Sequence, residues 1–361
     1  MTELMKLEEQ VSFSLRALYH RYGYAQFKMS KFEPYSLYLQ NKEFLVSEGV
    51  ITFTDTDGAL LALKPDVTLS IVKNCRDGHD SLQKVCYSEN VYRIAGPGKG
   101  FREIMQTGLE CLGDIGIYEL GEVLLLAARS LQCISPRFLL TVSHLGIIEP
   151  LLQEMQLGDE ASQAALQCLR EKNEASLRDC CSGAPAELVE QLVSLMMQNS
   201  CILQAVNALP PGKARSELQT VAALLEQAGL ADHVRLDFSI IGDRNYYNGI
   251  VFRGYIEGIP SEVLSGGQYD RLLIRLNKHA KGVGFAVYLD QLELLEDRKK
   301  TYDVDTVLIY SDEADPLALS AAADQLAENG VLLTKSMPPR LTCRRVMRFQ
   351  NGRVTEIEYH G

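Results

Sequence analysis

The sequence has no Cys-x-x-Cys pair, and its nine cysteines are odd in number and scattered: Cys75, Cys86, Cys111, Cys133, Cys168, Cys180, Cys181, Cys201 and Cys343. The six histidines do not cluster with them. A zinc site needs grouped thiolates or imidazoles, so no metal is expected, and the thiols read as reduced and mostly buried, as in a cytosolic protein. No apolar run approaches the ~20 residues of a membrane span. No charged-then-apolar leader opens the chain: Met1 runs into an acidic, helix-like stretch, and the expected location is the cytoplasm. Basic charge is also short, with a formal net charge of −11. A protein that grips nucleic acid through phosphates carries a basic surface, so the balance argues against such a partner while leaving room for a local patch. There is no internal repeat and no low-complexity segment. No Gly-Lys-Ser/Thr opens a helix after the glycine-rich stretch Gly96-Pro97-Gly98-Lys99-Gly100, so that stretch is no P-loop, and no cofactor is expected.

What is present suits two or three domains in 361 residues. Val11, Leu15, Leu18 and Tyr22 follow helical spacing, and Gly23 supplies a stop. Residues 51–54 and 59–63 flank Asp57-Gly58, a strong hairpin signal. Residues 84–93 and 103–111 read as strands joined by the glycine-rich tip, residues 120–131 as a helix and residues 139–144 as a strand. From 145 to 232 the character turns helical. Leu188, Leu192, Leu195 and Met196 share one face, as do Leu218, Val221, Ala222 and Leu225, with Gly229 as terminator. Strand signals resume where Val234, Leu236, Phe238 and Ile240 alternate with Arg235, Asp237 and Ser239. Residues 246–255 are expected to pair beside that strand. Another strand is expected at 282–287, running into a helix at 289–295. After the linker-like Arg298-Lys299-Lys300 come strand 305–310, helix 316–328, strand 331–334 and short strands near Val346 and Ile357. The expected fold is α+β: an antiparallel sheet with flanking helices over residues 1–144 and 233–297, a helical insertion at 145–232, and a small C-terminal α/β domain at 301–361.

Four stretches, in order and with compatible spacing, resemble the class II aminoacyl-tRNA synthetases and, within that class, histidyl-tRNA synthetase. The first is Leu63-Lys64-Pro65-Asp66-Val67-Thr68, where the family has an arginine, a proline, an acid and a threonine. The second combines Tyr92-Arg93, Lys99-Gly100-Phe101-Arg102-Glu103 and Gln106-Thr107-Gly108-Leu109-Glu110, and resembles motif 2. The third is Asn245-Tyr246-Tyr247-Asn248-Gly249-Ile250-Val251-Phe252, similar to the histidine-binding segment. The fourth, Gly266-Gly267-Gln268-Tyr269-Asp270 with Gly282-Val283-Gly284-Phe285-Ala286, resembles motif 3. Alone, each has a duller reading: a bulge at Gly266-Gly267, a solvated hairpin at Gly96 to Gly100, one core ring and one surface ring at Tyr246-Tyr247. The resemblance spans about residues 6 to 297, interrupted by the helical segment, and implies the class II fold.

The departures from the family fall on the chemistry. Amino-acid activation needs cationic clamps on a triphosphate, and arginine suits that task because its planar fork binds phosphate bidentately. By the resemblance, Arg93 keeps the motif 2 arginine. The motif 3 arginine falls on Gln291, and Tyr288 stands where the family has glycine. The arginine peculiar to the histidine enzyme falls on Gly242, with Arg244 displaced by two residues. The motif 2 glutamate falls on Ala95. Losing one such donor typically removes ~3–4 kcal/mol of transition-state stabilisation, so several losses together remove activation. No residue of this chain is therefore expected to be catalytic.

The amino-acid pocket is better kept. The resemblance assigns Asp66, Gln106 and Glu110 to a substrate ammonium, Arg93 to its carboxylate, and Tyr246 and Tyr247 to an imidazole, with Thr68 in the same set. An ammonium has three donors and no acceptor, so two carboxylates and an amide carbonyl suit it. The alternative is that these residues are relics that satisfy one another. Residues 301–361 carry six Lys and Arg against nine Asp and Glu, a net −3, which argues against tRNA reading.

This combination resembles the regulatory subunit of ATP phosphoribosyltransferase, a paralogue of histidyl-tRNA synthetase. The resemblance implies a non-catalytic partner of the short-form catalytic subunit in histidine biosynthesis, with histidine as effector. It also implies a homodimer within a hetero-oligomer, paired through residues of about 11–33, with no tRNA and no membrane partner. Two other readings stay open at this stage. One is an active histidyl-tRNA synthetase or related amino-acid-activating paralogue, for which Arg244 is the one candidate replacement clamp. The other is a free-standing amino-acid-binding or scaffolding protein.

Overall fold

Helical spacing at the start of the chain gives α1 (Leu7–Arg21), which buries Val11, Leu15, Leu18 and Tyr19 on one face. Tyr22 is only half-buried beyond its end, and Gly23 takes φ +82°, a conformation that costs glycine little. The computed structural model describes residues 5–45, 49–76, 82–94, 100–242, 246–296 and 302–358. Ala95 with residues 96–99 of the glycine-rich tip, the stretch holding Arg244, and Arg298-Lys299-Lys300 fall outside these residues. The chain divides into two compact units, Met1–Glu296 and Asp297–Gly361.

In the first unit, β1 (Ala25–Gln26) is followed by a small antiparallel sheet of β2 (Phe32–Pro34), β3 (Thr52–Thr54) and β4 (Leu60–Leu63). Between β2 and β3 lies α2 (Tyr35–Gln40). The Asp57-Gly58 turn joins β3 to β4, with Gly58 at φ +87°. The chain then turns through α3 (Thr68–Asn74) into two long strands, β5 (Gln83–Ile94) and β6 (Phe101–Gly113), paired antiparallel over their length. Next come α4 (Ile117–Ile134) and β7 (Phe138–His144).

Residues 145–233 are mostly helical: α5 (Leu145–Glu154), α6 (Asp159–Glu171), α7 (Glu174–Cys180), α8 (Ala186–Met196), α9 (Ile202–Ala205) and α10 (Lys213–Gln227). The two-residue β8 (Ser200–Cys201) interrupts them. Their buried faces, including Leu192, Met196, Leu218 and Leu225, belong to the same apolar cluster as Leu109, Val142 and Phe285 of the sheet. The unit closes with β9 (Val234–Leu236), β10 (Ile250–Ile256), β11 (Leu264–Gln268), a short helix at Asp270–Arg275, and β12 (Lys281–Tyr288). The main sheet runs β1-β5-β6-β12-β11-β10-β7-β9-β8. Its centre is antiparallel, but β1 joins β5 and β9 joins β7 in parallel, so the sheet is mixed rather than purely antiparallel.

Three sequence expectations need correction. The alternating stretch at 234–240 is strand only as far as Leu236. There the Asp237 carboxylate accepts hydrogen bonds from the Ser239 amide (3.0 Å) and hydroxyl (2.6 Å), and the Ile240 amide bonds back to the Asp237 carbonyl. This Asx turn ends the ladder while Phe238 and Ile240 stay buried. Secondly, β10 does not pair with β9; it lies between β7 and β11. Adjacency in sequence does not fix adjacency in a sheet whose edges are completed by distant segments. Thirdly, the helix expected at 289–295 divides into a 3₁₀ turn, Leu289–Leu292, and one α-turn, Glu293–Glu296.

The second unit is a four-stranded sheet. β13 (Val304–Ile309) lies parallel to β14 (Val331–Thr334) on one side and β15 (Cys343–Gln350) on the other, and β16 (Arg353–Glu356) returns antiparallel. The helix Pro316–Leu326 starts on an Asp315 cap, and Leu308, Ala322 and Phe349 form the core. Among the described residues no helix is long and apolar enough to cross a membrane, and no group of His, Cys, Asp and Glu is arranged to hold a metal ion.

Candidate functional site

The site is built where β4 runs into α3. Lys64, buried to 1% exposure, forms an ion pair with Glu89 of β5 (Nζ to Oε2 2.5 Å), and the Lys64 carbonyl accepts the Tyr92 amide. These contacts hold the 64–67 segment against β5. Arg93 of β5 then donates from Nε to the Pro65 carbonyl at 2.7 Å, and its Nη2 lies 3.6 Å from Asp66 Oδ2. The other carboxylate oxygen of Asp66 accepts the Leu69 amide at 2.8 Å, which fastens the first turn of α3.

Gln106, Gly108 and Glu110 share one face of β6 because side chains alternate along a strand. Glu110 is 1% exposed. It accepts from the Thr68 hydroxyl at Oε1 (2.7 Å) and from the Tyr269 hydroxyl at Oε2 (2.5 Å). Gly284 of β12 lies opposite Glu110 in the ladder, and a Cβ there would come within 1.7 Å of Oε2. Only glycine leaves room for this buried carboxylate. Gln106 is 2% exposed, and its Nε2 has no hydrogen-bond partner among the described residues. A buried amide without a partner is destabilising unless a ligand or water meets it.

Tyr246 and Tyr247 stack edge-to-face with centroids 4.8 Å apart, and Tyr246 also packs on Tyr269 and Phe44. Tyr247 fills the space beside Gly242 and Gly267, where an added Cβ would meet its ring at 2.7 Å and 2.6 Å. All seven residues singled out from the sequence, Asp66, Thr68, Arg93, Gln106, Glu110, Tyr246 and Tyr247, line one open cavity of ≈1060 Å³.

Burial sets the electrostatics. It pushes the Glu110 carboxyl up to about 8 against the lowering effect of the Tyr269 and Thr68 hydrogen bonds. Burial also raises Asp66, opposed by Arg93, and raises the phenols of Tyr246, Tyr247, Tyr269 and Tyr288. The inner end of the cavity is therefore a set of carboxyl groups held above their ordinary range. An arriving cation compensates their ionised forms.

The positions that the resemblance assigned to phosphate clamps are arranged differently. Gly242 sits at φ +64° with Tyr247 against it, so a side chain there is strained and meets the tyrosine ring. Gln291 accepts from the Ser261 hydroxyl at 2.7 Å and donates to Asp290, and it is not among the residues lining the cavity. Tyr288, at the end of β12, lines the cavity with Arg93. Three contributors were not assigned a role from the sequence. Tyr269, which holds Glu110, lay within a quoted motif stretch. Tyr87 of β5 and Arg170 of α6 carried no local signal, because only long-range packing brings them to the cavity.

The family model described as Histidyl-tRNA synthetase matches residues 2–292. An ATP phosphoribosyltransferase regulatory subunit of Clostridium kluyveri is 26% identical over 349 residues, covering 91% of this chain and 88% of the relative. The crystal structure of an ATP phosphoribosyltransferase regulatory subunit/histidyl-tRNA synthetase from Bacillus halodurans is similar at a TM-score of 0.71 and 24% identity, over 91% of this chain and 88% of that one. A chain of the ATP phosphoribosyl transferase (HisG:HisZ) complex from Thermotoga maritima is similar at a TM-score of 0.63 and 20% identity, over 79% of this chain and 98% of that one. The fold is accordingly α+β and class II synthetase-like, with a mixed sheet and flanking helices.

Proposed function

Because this chain belongs to the histidyl-tRNA synthetase family yet keeps only Arg93 of the three arginines that the resemblance assigns to phosphate, we propose that it is a non-catalytic regulatory subunit of ATP phosphoribosyltransferase. In this reading it joins and activates the short-form catalytic subunit and carries feedback inhibition by histidine, in the cytoplasm and without tRNA. The observation that carries the reading is the split within one cavity. Its amino-acid half retains Asp66, Thr68, Arg93, Gln106, Glu110, Tyr246 and Tyr247. Of the clamp positions, Gly242 is strained for any side chain and has the Tyr247 ring against it, Gln291 bonds to Ser261 and Asp290, and Tyr288 occupies cavity wall beside Arg93. A cavity with an amino-acid end and a triphosphate grip reduced to Arg93 suits sensing rather than activation. The names of relatives such as the Clostridium kluyveri protein support the same reading.

In this reading histidine binds with its ammonium at Asp66, Gln106 and Glu110, its carboxylate toward Arg93 and its imidazole against Tyr246 and Tyr247. Regulation then requires histidine to bind two states of the assembly unequally. The test is assembly. Mixed with the short-form catalytic subunit of the same organism, the chain is expected to co-elute as a hetero-oligomer on size exclusion. Separate elution at micromolar concentrations of both contradicts the proposal.

A further inference from the structure

Two buried carboxyls face the inner end of the cavity, and the cations near them are already committed. Arg93 lies against Asp66, and Lys64 is taken by Glu89. Among the described residues, Glu110 meets hydroxyls alone: Thr68 at Oε1 (2.7 Å) and Tyr269 at Oε2 (2.5 Å). The titratable groups that face it are Asp66 before α3, Tyr87 of β5, Tyr246 and Tyr247 before β10, and Tyr269 after β11. None of them is a cation, and β12 presents Gly284, which has no side chain. A buried carboxylate with no positive partner is costly, so the group keeps its proton until a cation reaches it.

Tyr269 suits both states of such a group. A phenol hydroxyl donates or accepts, so it takes the hydrogen of the neutral acid and supplies one to the carboxylate. Its place does not depend on a ligand. The Tyr269 amide bonds the Gly282 carbonyl at 2.8 Å, its ring packs on Tyr246 at 5.8 Å, and a Cβ on Gly282 would come within 2.5 Å of that ring. We propose that Glu110 stands in the unliganded protein as a neutral acid and yields its proton to solvent when a ligand ammonium arrives, with Tyr269 as the residue that positions the carboxyl in both states. The Glu110 carboxylic acid and the ligand's –NH₃⁺ become a carboxylate–ammonium pair, one H⁺ leaves through the open cavity, and no covalent bond forms between protein and ligand. Affinity for a cationic amine then rises with pH until Glu110 ionises unaided. This rests on the reading of the cavity as an amino-acid site, and adds that histidine sensing there is coupled to pH.

The test is calorimetric titration of the full-length protein with L-histidine at pH 8, in three buffers of different ionisation enthalpy, which counts protons. For a carboxyl held at about 8, wild type is expected to release about half a proton per histidine more than Glu110→Gln, which keeps the ligand's own titration but not this one. Tyr269→Phe removes a donor from the ionised carboxyl. It is expected to weaken histidine ~10-fold and to bring the release closer to one proton, because the acid is then held higher. Wild type that binds histidine and releases no proton overturns the inference. So does a release that persists unchanged in Glu110→Gln, which would belong to Asp66 or to the ligand. Where Glu110→Gln binds too weakly to titrate, Tyr269→Phe decides: weaker binding with the wild-type proton count is what a mere strut gives, and overturns the inference. If wild type does not bind histidine at all, the reading of the cavity as a histidine site fails first and takes this inference with it.

Discussion

The Tyr269 hydroxyl donates to Glu110 Oε2 at 2.5 Å, tying the end of β11 to the middle of β6 beneath the cavity. The carboxyl it holds is pushed up to about 8 by burial. In the unfolded chain the same group ionises near its ordinary 4.5. Between about pH 4.5 and 8 the folded state therefore binds the extra proton, and stability contributed by this group is full below that window and lost as pH rises through it. Glu110→Gln keeps the shape of the protonated acid and removes the titration. Wild type is expected to lose up to about 3–5 kcal/mol relative to Glu110→Gln between pH 5 and 8. Urea unfolding of both proteins across that range checks it, and parallel curves would exclude Glu110 as the titrating group.

Histidine is expected to raise the melting temperature of the isolated chain, since a ligand that binds only the folded state stabilises it by mass action. In Asp66→Asn with Glu110→Gln the ammonium loses its anionic partners, and binding is expected to weaken by about 2–4 kcal/mol, roughly 30- to 900-fold. A double mutant that assembles into a complex inhibited normally by histidine would make this pocket a relic and move the effector site elsewhere.

The purified protein is expected not to catalyse histidine-dependent ATP–pyrophosphate exchange. Gly242, with Tyr247 packed on it, and Gln291, bonded to Ser261, leave the triphosphate without two of its cations. Exchange at the rate of an ordinary synthetase would overturn the assignment of a non-catalytic subunit.

Much of this is legible in the sequence. The period of Val11, Leu15 and Leu18 with Gly23, and the Asp57-Gly58 hairpin, are local signals in which backbone preference and apolar pattern agree, and both elements form. The seven pocket residues came from motif order, and they line one cavity because strands β5 and β6, the α3 turn and the turn before β10 carry them there. The end of β9 was not legible: alternation continues past Leu236, but the Asp237 side chain captures Ser239 and breaks the ladder. Nor was Arg170. It stands 72 residues from the Gly242 carbonyl it meets, and nothing in its own helix marks it except its place in the last turn, where any cation is favoured.

The chain is expected to be at least a dimer at micromolar concentration. Phe32 of β2 and Phe53 of β3 meet edge-to-face at 5.5 Å, yet are 45% and 38% exposed. An apolar group of this kind on the small sheet is the sort of surface a second copy covers. Sedimentation of wild type and of Phe53→Glu reads it: the substitution is expected to shift the equilibrium toward monomer, and a wild-type monomer would remove the homodimer from the account.

The most direct test is the steady-state rate of the short-form catalytic subunit, measured with ATP and phosphoribosyl pyrophosphate in the presence and absence of this chain, each with and without histidine. The account predicts a faster rate when the chain is added, and inhibition by histidine that depends on its presence. A catalytic subunit whose rate and histidine response are unchanged by the chain would contradict it.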